Sequence, residues 1–347
     1  MTELTKELVL KALEVVQDPD LHKNIVELDF IKNLAVCGGT VKFDLELTTP
    51  ACPVKDLLKS QAHDAVAALP GAETVTVNLT AKVKSSLPVG NEIGGDVRNV
   101  IAVTSGKGGV GKSTTAVNLA VALAESGAKV GILDADVYGP NVPVMMGCKG
   151  SPMRVPGSDK IMPLEAHGVK TMSVGFMVED GQAIMWRGPM LHRALEQFLK
   201  DVEWGELDYL VVDMPPGTGD AQISLAQLVP LTGAVVVTTP QEVSLTDVRR
   251  AMGMAEQVKC PVLGVVENMT GDIFGHGGGE QIATTFNVNL LGSIPLEAVA
   301  RVAGDSGIPV VLSHPESETG KAFFEIAGKV AAAVATRQAT ALPTLEV

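Results

Sequence analysis

Residues 104–115 read TSGKGGVGKSTT, a stretch whose glycine spacing and lysines suit the binding of a polyphosphate. Gly106, Gly111, Lys112 and Ser113 satisfy the pattern G-x-x-x-x-G-K-[ST]. Glycines let successive backbone N–H groups converge on an anion, and a helix starting at the loop adds its partial positive charge. Lys112 is then placed to reach the β- and γ-phosphates of ATP, and the Ser113 hydroxyl to ligate Mg²⁺. Gly108, Gly109, Val110 and Thr114 complete the expected nucleotide cradle. Lys107 is a second lysine, which that pattern alone does not require.

Phosphoryl transfer also needs carboxylates that hold Mg²⁺ and its waters and one that orients the attacking water. GILDAD ends in Asp134 and Asp136, and YLVVD ends in Asp213 ahead of MPPGTGD. An acid after a hydrophobic strand suits the metal's coordination shell, so Asp213 is assigned there, through water, with Asp134 beside the metal. Asp136 is the candidate for positioning the nucleophile. Asp-Ala-Asp could instead cap the following helix. Gly217, in the glycine-bearing segment after Asp213, is a candidate to donate its N–H to the γ-phosphate as a switch.

These groups need strands to carry them. RNVIAVTS before the loop is a β-branched run that reads as a buried parallel strand, and STTAVNLAVALAESG after it has helical apolar spacing. Further strands are predicted at KVGILDAD, DYLVVDMP, GAVVVTTP, VLGVVENM and NLLGSIP, alternating with helical segments. That alternation predicts an α/β fold, a mostly parallel P-loop NTPase sheet with helices on both faces. Ligands of such sheets sit at the carboxyl ends of the strands, where the aspartates lie. Before it, a small α/β domain is predicted over 1–84: a helix from Thr5 to Val16, a hairpin around Cys37, a helix KDLLKSQAHDAVAAL and a strand ETVTVNLTAKV. Pro88, Gly90, Gly94 and Gly95 mark residues 85–98 as a linker. The ATPase domain then spans 99–336, followed by a tail over 337–347.

Composition narrows the function classes. Hydrophobic residues make up 46% of the 347 and charged ones only 19%, which favours a sizeable core over disorder. A net charge of -13 argues against a nucleic-acid-binding surface. No apolar stretch reaches membrane-span length, and MTELTKELVLKALEVV lacks the features of a signal peptide, so no membrane partner and a cytoplasmic location are expected. Cys37, Cys52, Cys148 and Cys260 lack paired spacing, which suits a reducing compartment.

KGGVGKST with its early lysine, DADVYGPNVP, DYLVVDMPPGTGD, TTPQ and VVENM together resemble the Mrp/ApbC branch of the deviant Walker A ATPases, the iron-sulfur cluster carriers of the MinD/ParA class. The likeness covers residues 98–330, and WRGPMLHRALEQFL at 186–199 points to that branch. The N-terminal segment, with LTTPACPVKD around Cys52, resembles the small iron-sulfur assembly domain often fused to such carriers. The resemblance implies a homodimer in which Lys107 reaches the phosphates bound by the other subunit. Its role there is that of an arginine finger, so Lys107, Lys112 and Asp136 form the catalytic set. It also implies that Asn268 reads adenine through its amide and that Pro295 lines the base pocket. Partners would be iron-sulfur assembly proteins or apo-protein recipients.

The sequence departs from that family at one place. Carriers of this branch commonly have a C-x-x-C pair after the ENM strand; here the loop reads ENMTGDIFGHGGGEQ, shortened and without cysteine. An iron-sulfur cluster is held by several thiolates. Cys52 is the best remaining candidate ligand, because a position between strand and helix favours thiolate at a helix N-terminus. One thiol needs help from another subunit, a partner or a small thiol. His276 is a weaker candidate, and Cys260 reads as a core residue. The sequence therefore expects an ATP-hydrolysing cluster carrier or assembly factor. The alternative is a nucleotide-switched ATPase of the MinD/ParA type that acts on a protein partner and carries no cluster.

Overall fold

A computed structural model describes residues 4–87, 93–137, 139–177 and 188–341. Two compact units emerge: residues 1–84 with 331–347, and residues 85–330. The sequence expectation for the linker falls partly on 88–92, for the tail partly on 342–347, and for the 186–199 segment partly on 186–187; these residues lie outside the described ones.

In the first unit, helix α1 (Lys6–Leu13) begins with the Thr5 hydroxyl accepting the Leu8 N–H, a side-chain N-cap. Strands β1 (Ile31–Cys37) and β2 (Thr40–Leu47) form an antiparallel hairpin in which Cys37 faces Thr40 across Gly38-Gly39. Helix α2 (Lys55–Ala67) then returns the chain to β3 (Thr74–Ala81), which runs parallel to β2. Val41, Phe43, Leu45 and Leu47 alternate along β2 and bury one face of the sheet with Leu58, Ala62 and Val66 of α2. This is the period-two against period-3.6 match that defines a sheet-on-helix core.

The second unit is built on an eight-stranded sheet. In chain order its strands are β4 (Val100–Ser105), β5 (Val130–Asp134), β6 (Leu164–Ala166), β7 (Val169–Ser173), β8 (Tyr209–Asp213), β9 (Gly233–Thr238), β10 (Val262–Thr270) and β11 (Leu290–Pro295). Across the sheet they run β6-β7-β5-β8-β4-β9-β10-β11, parallel except for the edge pair β6–β7. Every residue of β4, β5, β8 and β9 is buried, which explains their unbroken apolar composition. All six strands expected in this region are present. The β6–β7 hairpin has no such signature in the sequence, because its strands are short, mixed in polarity and separated by His167-Gly168.

The helices include α3 (Lys112–Glu125), α4 (Gly188–Lys200), α5 (Asp220–Leu228), α6 (Glu242–Gln257), α7 (Gly278–Phe286), α8 (Ala298–Ser306) and α9 (Glu318–Ala341). Two features differ from the sequence division. Asp96–Val97 pairs in parallel with Glu206–Leu207, so part of the expected linker is ordered within the second unit. Helix α9 continues to Ala341, past the expected start of a tail.

At the amino ends of the strands, Asp208 joins three chain segments. Its carboxylate accepts the Lys129 N–H at 2.9 Å before β5 and pairs with Arg98 before β4. Its own carbonyl accepts from the Asn99 amide at 3.2 Å. Asp208 is buried while Arg98 keeps 28% of its side chain exposed, so truncation removes a charge-assisted pair and the acceptor of the Lys129 N–H from a partly solvated site. Asp208→Ala is expected to destabilise the second unit by roughly 1–3 kcal/mol, the scale of lost hydrogen bonds to a charged group. Urea unfolding followed by tryptophan fluorescence reads this, since Trp204 is fully buried in that unit. A change below about 0.5 kcal/mol would refute the role.

Candidate functional site

Strand order brings the sequence-predicted groups together. β4, which feeds the glycine loop, lies between β8 and β9, and β8 lies between β4 and β5. In register, Asp213 sits opposite Asp134 on one side and Val103 on the other. The loop and both aspartate-bearing strand ends therefore share one carboxyl edge.

The loop's backbone explains its glycines. Gly109 and Gly111 adopt φ 78° and 84°, the left-handed region that side chains disfavour. A Cβ on Gly106 would lie 2.4 Å from the Asp247 backbone in α6, so that glycine allows close packing. Gly111 is the N-cap of α3 and provides no side-chain cap, which leaves the first-turn N–H groups directed at the loop's interior. The Ser105 hydroxyl donates to the Lys107 carbonyl at 2.9 Å and shapes the loop's entry.

Lys112 is 6% exposed, and its ammonium is compensated entirely by local acceptors. Its Nζ lies 2.7 Å from Asp213 Oδ1, 3.3 Å from Asp136 Oδ2 and 3.2 Å from Ser113 Oγ. Among the described residues, Asp136 Oδ1 and Asp213 Oδ2 are buried without a hydrogen-bond partner. Such oxygens are costly unless something fills them. Two free carboxylate oxygens beside a serine hydroxyl and an anion cradle fit a hydrated Mg²⁺, which takes one or two carboxylates and completes its shell with phosphates and water.

Asp134 is arranged differently from its sequence expectation. Its Oδ1 accepts the Asp136 N–H at 3.1 Å, and its Oδ2 accepts from the Ser173 hydroxyl at 2.9 Å and the Val142 N–H at 3.3 Å. Both oxygens are thus engaged in holding the Asp-Ala-Asp turn. Burial, reinforced by the neighbouring Asp213, pushes the Asp134 carboxyl up to about 8. Burial also raises Asp213, opposed by the Lys112 ammonium. Ser173 was not foreseen because β7 itself was not.

Gly217 also differs. Its N–H donates to the Ser105 carbonyl at 3.0 Å, so the donor assigned to phosphate is held by the loop's own entry strand. Its φ of 95° nonetheless requires glycine. Gln222 of α5, absent from the sequence expectations, is buried with its amide nitrogen bonded to Thr104 Oγ1. Lys107 is half-buried and makes no ion pair among the described residues.

Beside the loop a cleft of about 230 Å³ is lined by Gly111, Thr114 and Asn268, by Ile294, Pro295 and Phe323, and by the charged Glu297 and Arg301. A cleft with apolar walls and a few polar groups at the edge of an anion cradle suits a nucleobase. Asn268 and Pro295 are both in its wall. The Asn268 amide, however, is already bonded to backbone, donating to the Val110 carbonyl at 2.8 Å and accepting the Met269 N–H at 2.9 Å.

The cysteines do not gather. Cys37 is exposed, Cys52 buried, and Cys148 and Cys260 are intermediate; all are free thiols. Cys52 precedes α2 as expected and accepts the Val54 N–H, but burial, aided by Asp18 and Asp20, pushes its thiol up to about 11. The expected thiolate character is therefore not present in this conformation. The loop after β10 closes as a tight turn, with Gly271 and Gly275 exchanging backbone hydrogen bonds at 3.1 and 2.7 Å. Among the described residues, no three or more His, Cys, Asp or Glu side chains form a metal-holding group.

Residues 96–331 match the family model described as NUBPL iron-transfer P-loop NTPase, and residues 6–79 match that of an iron-sulfur cluster assembly protein. An iron-sulfur cluster carrier protein of Synechocystis sp. is 51% identical, over 95% of this chain and 98% of its own length. Its namesake in Escherichia coli is 43% identical, over 95% of this chain and 92% of its own. Among solved structures, a nucleotide-binding protein in complex with ADP from Archaeoglobus fulgidus is 39% identical, covers 61% of this chain and 87% of its own, and has a TM-score of 0.54. The septum site-determining protein MinD complexed with Mg-ADP from Pyrococcus horikoshii is 27% identical, covers 66% and 94%, and also scores 0.54. By the family model over residues 96–331 and a relative 51% identical across 95% of its length, the chain belongs to the iron-transfer P-loop NTPases of the iron-sulfur cluster carrier family.

Proposed function

We propose that this protein hydrolyses MgATP and uses the cycle to deliver iron-sulfur clusters to recipient proteins. The observation that carries the ATPase part is the buried Lys112 ammonium between Asp213 and Asp136, beside two unpartnered carboxylate oxygens at the mouth of the glycine loop. The cargo assignment is supported by the family to which both matched segments belong.

In this reading a triphosphate enters along the N–H groups of residues 106–114, and Lys112 leaves its carboxylates for the β- and γ-phosphates. Ser113 and Asp213, the latter through water, would hold Mg²⁺, with Asp134 supporting them from beneath. The ion supplies positive charge against the developing negative charge of the transferred phosphoryl group. Asp136 keeps Oδ1 open to accept from the attacking water and orient it. Gly217 exchanges the Ser105 carbonyl for the γ-phosphate, which ties nucleotide state to the segment before α5. Pro295 and Asn268 contact the base.

Lys107, which makes no ion pair among the described residues, is assigned to the phosphates of a second subunit in a homodimer. Lys107→Ala is expected to bind ATP normally but hydrolyse it roughly 10³-fold more slowly, the scale of a lost finger residue. Mixing it with Lys112→Ala chains tests action across subunits through partial recovery of turnover. Wild-type turnover by Lys107→Ala alone would refute the assignment.

Asp136→Asn keeps the shape and removes the charge that orients water. Turnover should fall about 10²- to 10⁴-fold while ATP binding persists, giving a trapped ATP state visible by nucleotide retention on a gel-filtration column. Hydrolysis at the wild-type rate would exclude the role.

Cys52 is the proposed cargo thiol, reached when the first unit opens locally, with the remaining ligands from a second subunit, a partner or a small thiol. Anaerobic reconstitution with iron and sulfide should give a charge-transfer spectrum that is lost in Cys52→Ser and kept in Cys260→Ser. In the resting protein, iodoacetamide should label exposed Cys37 well before Cys52, whose thiolate fraction at pH 8 is about 10⁻³ for a thiol titrating near 11. Intact ATPase with neither cluster binding nor transfer would instead favour a nucleotide switch acting on a protein partner.

A further inference from the structure

β10 does not pair evenly with β11. Glu267 faces Ser293 and Thr270 faces Pro295, so three steps on β10 match two on β11, and the surplus falls at Asn268-Met269. A bulge of this kind re-aims a side chain out of the ladder. Met269 pays for it with φ 60°, a left-handed conformation for a non-glycine residue. Asn268 is 7% exposed and is turned toward the glycine loop rather than standing across the sheet.

The chemistry of its partners fixes the amide's orientation. The Val110 carbonyl can only accept, so Nδ2 faces it at 2.8 Å, and the Met269 N–H can only donate, so Oδ1 faces that at 2.9 Å. Val110 immediately precedes Gly111 and Lys112. The packing is close enough that a Cβ on Gly111 would lie 2.1 Å from Asn268 Nδ2. The same asparagine and the same glycine also line the apolar cleft beside the loop.

We propose that Asn268 is a positioning residue that braces the phosphate loop from β10, so that the cleft and the loop operate as a single nucleoside-triphosphate site. This rests on the nucleotide reading above but adds to it, because a residue that only read the base would not need a bond to the loop. The brace holds the Val110 carbonyl out of the anion cradle, where its negative end would oppose a phosphate. A base seated in the cleft presses on the brace, and its presence is felt at Gly111 and Lys112.

The test separates bracing from base reading. Asn268→Asp keeps the acceptor for Met269 but removes the donor to Val110, while Asn268→Ala removes both; Pro295→Ala alters the cleft wall opposite Thr270 and leaves both Asn268 side-chain partners in place. In the nucleotide-free protein, amide hydrogen exchange of the peptide covering residues 106–115 should quicken about tenfold in Asn268→Asp and stay unchanged in Pro295→Ala. Affinity for inorganic tripolyphosphate, which has no base, should fall about tenfold in both Asn268 variants and hold in Pro295→Ala. A thermal melt identifies a variant that fails to fold, and the other Asn268 variant then carries the comparison. Unchanged exchange at 106–115 overturns the brace whatever happens to ATP binding. If wild-type protein binds neither ATP nor tripolyphosphate, the nucleotide reading fails, and the exchange comparison still decides whether Asn268 orders the loop.

Discussion

A buried ammonium must be compensated, and the site is organised by that requirement. Lys112 lies at the start of α3, inside the unit, where an unpaired charge would cost several kcal/mol. Asp213 and Asp136 meet it, and their charges are tolerated there only because the lysine is present. The arrangement is poised rather than saturated, since one oxygen of each carboxylate has no partner among the described residues. In the proposed cycle a triphosphate with its cation would replace one set of charges by another of similar balance, so that no bare charge is buried when ligands exchange.

Sheet topology supplies the partners. The loop strand β4 has β8 beside it and β5 one place further, so a loop lysine reaches carboxylates that are about 20 and 100 residues away in the chain. Fully buried, register-locked strands make those ends rigid, as Asp213 opposite Asp134 illustrates. Asp208 fastens the opposite ends of the same strands. Just beyond the end of β8, the Gly217 N–H donates to the Ser105 carbonyl at the end of β4.

The first unit follows a different logic. Its Cys52 thiol is kept protonated by burial and by two nearby aspartates, the opposite of the environment that makes a reactive cysteine. Chemistry at that thiol would need a change in its surroundings, whereas the Lys112 site already holds its opposed charges in contact.

The sequence alone locates the glycine loop, the six core strands and the strand-end placement of Asp134, Asp136 and Asp213, because each is a local pattern of apolar runs and turn residues. It also showed that the loop after β10 lacks a cysteine pair. It could not show the β6–β7 edge hairpin, since short strands of mixed polarity have no distinct period. Nor could it rank the aspartates, which look alike in sequence. Ser173 and the Val142 N–H occupy Asp134, whereas Asp136 and Asp213 each keep a free oxygen, and that difference arises from β7 lying next to β5. Likewise, a position before a helix suggested thiolate at Cys52, but burial decided otherwise. Nor does the sequence show that the bulge in β10 turns the Asn268 amide onto Val110. Local pattern chooses the elements, while charge compensation and side-chain direction depend on which strands lie side by side, and only the folded sheet fixes that.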